Sequence, residues 1–259
     1  MATRTGINWT DSTWNPTTGC DRVSPGCDNC YALTQAARMK AMGSPAYQLD
    51  GDPRTSGPGF ALTLHPDRLD LPRRWANSRF IFVNSMSDLF HESVPDEFIA
   101  EVFAVMADTP RHTYQVLTKR SRRIARSADS FTWPTNLWMG ISLESARYRF
   151  RIDHLREVPS AKRFISAEPL LAATGPLDLT GIDWLIAGGE SGPGARPLQT
   201  QWLRDIRDGC LAQGTDFWFK QWGAWIESPE GTRRWTKDDG AYLDGVEWHQ
   251  RPALGAATA

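Results

Sequence analysis

The stretch Phe80-Ile-Phe-Val83-Asn84-Ser-Met-Ser-Asp88, then Pro95-Asp-Glu-Phe-Ile-Ala-Glu-Val-Phe-Ala-Val-Met106, then Tyr114-Gln-Val-Leu117, decides how the chain is read. Residues 80–83 form a short, unbroken apolar run of aromatic and branched side chains, as expected of a strand buried on both faces. Pro95 and two acids open the next segment, and Phe98, Ile99, Val102, Phe103 and Met106 recur at helical spacing. A second apolar run follows at residues 114–117. Strand, helix and strand in that order imply a parallel pair joined by a right-handed crossover.

The alternation extends in both directions. Further apolar runs are Phe60-Ala-Leu-Thr-Leu64, Leu137-Trp-Met-Gly-Ile141, Arg163-Phe-Ile-Ser166, Trp184-Leu-Ile-Ala187 and Phe217-Trp-Phe219. Residues 201–211 form another amphipathic segment, with Trp202, Leu203, Ile206 and Cys210 on one face. Cys210 therefore reads as a core residue. With a short strand near residues 7–14, the expected strands number eight. The fold class is α/β, and eight strand–helix units in about 250 residues suit a full or partial (β/α) barrel of the TIM type. A doubly wound open sheet is the alternative that periodicity leaves open. The barrel is expected over residues 1–223. Residues 224–259 read as a C-terminal cap and tail, with Trp225, Trp235, Tyr242 and Trp248 set among turn residues.

Composition narrows the class. The chain has 259 residues, 41% hydrophobic and 23% charged, with twelve Trp and eleven Phe, which is ample for a core and excludes disorder as the dominant state. No apolar stretch is long enough to span a membrane. The first six residues lack the apolar core of a secretory leader, so a cytoplasmic location is expected. The net charge of −1 gives no global attraction to nucleic acid. The 29 basic residues are 24 Arg and 5 Lys, a bias that fits planar anion recognition and equally a GC-rich genome.

The chemistry-bearing segment is residues 15–32, Asn15-Pro-Thr-Thr-Gly-Cys20-Asp-Arg-Val-Ser-Pro-Gly-Cys27-Asp-Asn-Cys30-Tyr-Ala32. Three of the four cysteines fall within eleven residues. Cys27-x2-Cys30 can grip one metal or cluster from a single turn, and Gly19, Pro25 and Gly26 bend the chain so that Cys20 converges. Structural zinc normally takes four protein ligands, and the fourth would have to be distant, such as His65 or His91. A 4Fe–4S cluster on three cysteines keeps one iron open for chemistry. Three clustered thiols without metal are the remaining reading.

This loop resembles the cluster loop of radical S-adenosylmethionine (SAM) enzymes, especially the spore photoproduct lyase branch. The whole chain resembles a family of phage and bacterial proteins marked by a three-cysteine motif, the phage Gp37/Gp68-like domain of unknown function. That likeness runs from Ile7-Asn-Trp-Thr10 through Phe219-Lys-Gln-Trp-Gly223 to Leu243-Asp-Gly245. The resemblance implies a radical SAM barrel in which Cys20, Cys27 and Cys30 hold a 4Fe–4S cluster. Its open iron would bind SAM, and one-electron reduction would yield a 5′-deoxyadenosyl radical that takes hydrogen from a substrate. It implies a lyase, transferase or DNA/RNA-modifying enzyme, an electron donor of flavodoxin or ferredoxin type, and a nucleic acid or nucleotide as substrate. The loop departs from the usual pattern: six residues, where three are usual, separate the first two cysteines, and Asn29 stands where an aromatic usually precedes the third.

In a (β/α) barrel the site gathers at the C-terminal strand ends. These read Asn84-Ser-Met-Ser-Asp88, Thr118-Lys119, Ser142-Leu-Glu144, Ser166-Ala-Glu168, Gly188-Gly-Glu190 and Lys220-Gln221. Carried over from the lyase resemblance, Lys119 would meet the SAM carboxylate and Ser142 the ribose. Ser85, Ser87 or Asp88 would face the amino group, and Glu144 joins this cofactor set. Glu168, Glu190, Lys220 and Gln221 are the candidates for substrate contact. The glycine-rich run of residues 188–194 is either a phosphate-contacting loop, with Arg196 adding charge, or a tight turn. Two basic runs, residues 119–126 and 147–163, read as solvated helix faces or as tracks for a nucleic-acid backbone. The competing function is a non-catalytic protein: a zinc-holding nucleic-acid binder, or an iron–sulfur redox sensor.

Overall fold

The computed structural model describes residues 5–228 and 231–253. Residues 1–4, 229–230 and 254–259, parts of the expected barrel and tail, lie outside the described residues. The chain divides into two compact units. One holds the chain to Ser142 together with Arg151–Lys162, and the other holds Leu143–Phe150 and the chain from Arg163 onward.

In the first unit, strand β1 (Ser12–Trp14) is followed by two-residue strands β2 (Thr17–Thr18) and β3 (Thr63–Leu64), which pair antiparallel with each other. Then come β4 (Phe80–Val83), β5 (Thr113–Thr118) and β6 (Leu137–Ser142). β1, β4, β5 and β6 lie parallel in that order, with Ser12 opposite Ile81, Phe80 opposite Thr113 and Tyr114 opposite Leu137. Helix α1 (Tyr31–Ala41) leaves the cysteine loop, α2 (Asp96–Ala107) crosses from β4 to β5, and α3 (Ser121–Arg126) follows β5. The five apolar residues read from the spacing of α2 are all buried, and Val105 joins them. Burying each contributes about 2 kcal/mol, which is what holds an amphipathic helix of this length on a sheet.

The second unit carries β7 (Lys162–Ala167), β8 (Trp184–Gly188) and β9 (Asp216–Gln221), again parallel and in order, with Phe164 opposite Trp184 and Trp184 opposite Asp216. Helix α4 (Phe150–Arg156) precedes β7, and α5 (Thr200–Gln213) connects β8 to β9. Gly214, left-handed at φ 70°, ends α5. Leu203, Ile206 and Cys210 are buried as expected. Trp202 is half-buried, one position off the stripe that faces the sheet.

Four parallel strands in one unit and three in the other succeed one another in chain order, the topology of a partial (β/α) barrel. A doubly wound sheet would reverse its order at a switch point. Among the described residues the parallel strands number seven where eight were expected. The run at residues 60–64 supplies only the edge pair β3, because its partner is the backbone of the cysteine-loop entry and not the parallel sheet.

The tail packs on β8 and β9. Two antiparallel pairs, β10 (Trp225–Ser228) with β11 (Gly231–Arg234) and β12 (Tyr242–Leu243) with β13 (Val246–Glu247), lead to a bridge between His249 and Trp218. His249 stacks on Trp218 at 4.1 Å, and Trp184 Nε1 donates to the Gln250 carbonyl at 2.9 Å. Among the described residues, no helix is long and apolar enough to cross a membrane.

Candidate functional site

Gly19 fixes the entry of the cysteine loop. Its φ is +85°, its N–H donates to the Met86 carbonyl at 3.0 Å, and a Cβ there would lie 2.0 Å from the Ala61 carbonyl oxygen. Left-handed strain and backbone overlap act together at this position. Gly19→Ala is therefore expected to cost more than about 2 kcal/mol in urea unfolding. A loss below about 0.5 kcal/mol would mean that the loop entry shifts freely.

Past Gly19 the loop makes a 3-10 turn at Pro25–Cys27, and Cys30 becomes the N-cap of α1. Cys20 and Cys30 pack against an apolar wall of Ala32, Ala36, Tyr47, Phe60 and Met86. Two of the sulfurs lie beside polar groups: Arg120 Nη1 donates to Cys20 Sγ at 3.4 Å, and the Ser24 hydroxyl lies 3.8 Å from Cys27 Sγ. Burial pushes the Cys20 thiol up to about 12, with the Arg120 guanidinium pulling the other way. Burial also raises Cys30, against the Ala32 amide and the charge of Lys119. A charge on Cys27 raises both others, so the three thiols share one electrostatic neighbourhood.

Among the described residues, no group of three or more His, Cys, Asp and Glu side chains is closed into a metal-holding set. The fit to a cluster rests on the donor chemistry. Three soft sulfurs on one loop, with the Arg120 guanidinium on Cys20 and the charge of Lys119 acting on Cys30, suit anionic thiolate ligation, which displaces the thiol protons.

The strand ends of the first unit meet this loop. Asp88 is buried, and its carboxylate is filled by protein donors: the Thr118 hydroxyl at 2.8 and 2.9 Å, the amides of Phe90 at 3.0 Å and Lys119 at 3.1 Å, and Arg120 Nη1 at 3.0 Å. Ser87 Oγ donates to the Thr17 carbonyl at 2.9 Å, and Ser85 Oγ lies 3.2 Å from the Asn15 carboxamide. The Tyr31 hydroxyl donates to the Ser85 carbonyl. Lys119 Nζ donates to Ser142 Oγ at 3.2 Å, so the two residues assigned to SAM by resemblance stand together.

His91 is committed elsewhere. The Ser93 amide donates to its Nδ1 at 3.2 Å, which leaves the proton on Nε2, 2.9 Å from Asp21 Oδ2. The Thr55 hydroxyl, helped by His91, holds the Asp21 carboxyl below the usual carboxylate range. His65 Nε2 lies 2.8 Å from Thr18 Oγ1. Both histidines named as distant zinc ligands already have hydrogen-bond partners.

The remaining candidates belong to the second unit. Glu168 accepts from the Ser166 hydroxyl at 3.2 Å and pairs with Lys220 at 3.0 Å. Glu190 takes a bidentate grip from Arg196, Nε at 2.9 Å and Nη2 at 2.6 Å, and also accepts the Arg196 amide at 2.9 Å. Its carboxylate thus organises the glycine-rich loop, and the charge of Arg196 is directed at Glu190. A Cβ on Gly189 would fall 1.9 Å from the Trp222 carbonyl oxygen, and the Gly189 amide donates to the Gln221 carbonyl at 2.9 Å. Close backbone approach is what these glycines serve. Glu144 is buried, its carbonyl accepting the amides of Leu171 at 2.9 Å and Ala172 at 3.3 Å.

The basic runs are mixed. Arg151 is buried on the Ser142 carbonyl, Arg120 is half-buried on Asp88 and Arg123 donates to the His91 and Val94 carbonyls, whereas Arg122, Arg126, Arg147 and Arg149 are exposed. Sequence reasoning passed over Arg120, which looked like one more cation in a basic run. Its signal was position: it follows Thr118-Lys119 at the end of β5.

Comparison with known proteins agrees with this geometry at the level of fold. The profile of a family described as a protein of unknown function, DUF5131, matches residues 4–252. No curated protein matches the sequence. Among solved structures, a tyrosine-to-phenylalanine variant of spore photoproduct lyase is similar at TM-score 0.50 and 10% identity, over 94% of this chain and 74% of that one. The same lyase complexed with a dinucleoside spore photoproduct is similar at TM-score 0.47 and 11% identity, over 81% of this chain. The chain spans 63% of the length of that protein. A doubly substituted form with bound AdoMet and the dinucleoside gives TM-score 0.47 and 12% identity, over 81% of this chain and 63% of that one.

Proposed function

The chain belongs to the DUF5131 family, whose description assigns no activity, and we propose that it is a radical SAM enzyme. The observation that carries this reading is the cysteine loop, in which Cys20 and Cys30 pack on one apolar wall, Arg120 Nη1 donates to Cys20 Sγ at 3.4 Å, and the charge of Cys27 acts on both. Cys20, Cys27 and Cys30 would hold a 4Fe–4S cluster, which supplies one-electron reductive cleavage of SAM to a 5′-deoxyadenosyl radical.

The chain's own residues do the rest. Arg120 and Lys119 would balance the thiolate charge. Ala32, Ala36, Tyr47, Phe60 and Met86 exclude water from the sulfur side of the loop, which protects reactive species from quenching. Lys119, steered by the Ser142 hydroxyl, presents a cation suited to a carboxylate. In the second unit, Glu168, Lys220 and Ser166 form a half-buried polar group suited to a substrate's hydrogen-bonding edge. The likeness in fold to the lyase supports a nucleotide or nucleic acid as that substrate. A low-potential donor of flavodoxin or ferredoxin type would supply the electron.

The test is electron paramagnetic resonance on anaerobically reconstituted, dithionite-reduced protein, with and without SAM. A 4Fe–4S signal that shifts on adding SAM is expected. A signal indifferent to SAM would replace the proposal with electron transfer or sensing. Absence of the signal, with zinc bound, would overturn it.

A further inference from the structure

Arg120 stands two residues beyond Thr118 and reaches back to the cysteine loop. Its Nη1 donates to Asp88 Oδ2 at 3.0 Å and to Cys20 Sγ at 3.4 Å, while Nη2 donates to the Asp21 carbonyl at 3.2 Å. Three contacts from one planar fork fix the guanidinium in orientation as well as in place. Asp88 is itself fixed by Thr118, Phe90 and Lys119. The side chains of Arg120 and Asp88 are 9% and 8% exposed, so neither swings out to water. An ordinary buried ion pair needs only the carboxylate. Here one N–H is shared with a sulfur, and a second nitrogen holds the backbone of the residue after that cysteine. Cys27 Sγ lies 3.8 Å from the neutral Ser24 hydroxyl, and Cys30, as N-cap of α1, makes no side-chain cap hydrogen bond. Cys20 alone among the three is hydrogen-bonded by a fixed charge.

We infer that Arg120 is a positioning residue for the Cys20 sulfur, and that its N–H···S bond and permanent charge raise the reduction potential of the cluster that Cys20 ligates. The inference rests on the proposed function. Its physical basis is general: hydrogen bonds to the sulfurs and local charge set the potential of an iron–sulfur centre. Arginine suits the task because it does not lose its proton in a protein and its fork serves sulfur, carboxylate and carbonyl at once.

The experiment is an anaerobic reductive titration of the reconstituted full chain, followed by electron paramagnetic resonance, with iron and sulfide assayed on each sample. Wild type is compared with Arg120→Met, which keeps the bulk, and Arg120→Lys, which keeps the charge and loses the fork. Arg120→Met is expected to retain most of its iron and sulfide while its midpoint potential moves to more negative values. Arg120→Lys is expected to move the same way by a smaller amount. Equal potentials in wild type and Arg120→Met, with clusters intact, would overturn the inference and leave the proposed function standing. If Arg120→Met fails to fold, Arg120→Lys carries the decision: a negative shift supports the inference, and an unchanged potential overturns it. A wild-type protein that assembles no cluster overturns the proposed function itself.

Discussion

Cys30→Ala protein, reconstituted anaerobically with iron and sulfide, is expected to retain less than about a tenth of the roughly four irons per chain that a three-cysteine 4Fe–4S site takes up. Three nearby side chains that could offer a ligand atom, Asp21, His91 and His65, are already engaged. Asp21 is held by Thr55 at 2.5 Å and by His91 at 2.9 Å, and both ring nitrogens of His91 are engaged. His65 lies on Thr18. Cys210 is fully buried in α5, in the other unit, and Cys210→Ala should hold as much iron as wild type. The measurement is iron and sulfide per chain with the visible absorption spectrum. Full iron and sulfide in Cys30→Ala would remove this cysteine from the ligand set and with it the proposed loop chemistry.

Much of the fold was legible because a buried parallel strand and its crossover helix leave distinct periods in the sequence. Residues 80–117 show both, and β4, α2 and β5 appear where those periods place them. Residues 60–64 misled because a five-residue, mostly apolar run looks the same in a parallel sheet and in a loop edge. The difference lies in the partner, Thr17–Thr18, which a local pattern does not reveal. The site divides along the same line. The cysteine spacing and the strand-end positions of Lys119 and Ser142 are local signals. Arg120 acts on Cys20 across 100 positions of sequence, a pairing that only the fold creates. Glu190, a candidate for substrate contact, has a local partner: Arg196, six positions on, closes on it with two nitrogens.

Asp88→Ala is expected to destabilise the metal-free protein by about 3–5 kcal/mol, the cost of leaving a buried charge without its partner. The reasoning does not depend on the cluster. Arg120 keeps its charge, since Asp88 and Cys20 outweigh the effect of burial and hold it firmly protonated. Removing the carboxylate strands that guanidinium together with the Thr118 hydroxyl and the amides of Phe90 and Lys119. Asp88→Asn, which keeps one acceptor oxygen, should lose less. The double variant Asp88→Ala/Arg120→Met should be more stable than Asp88→Ala alone, because it removes the stranded charge. Urea unfolding of the four proteins measures this. A loss below about 1 kcal/mol in Asp88→Ala would show that water or a neighbour readily takes the place of the carboxylate. In that case the rigidity ascribed to Arg120 at the Cys20 sulfur would have to come from the Asp21 carbonyl alone, so this stability measurement also tests the geometry on which the tuning of the cysteine loop depends.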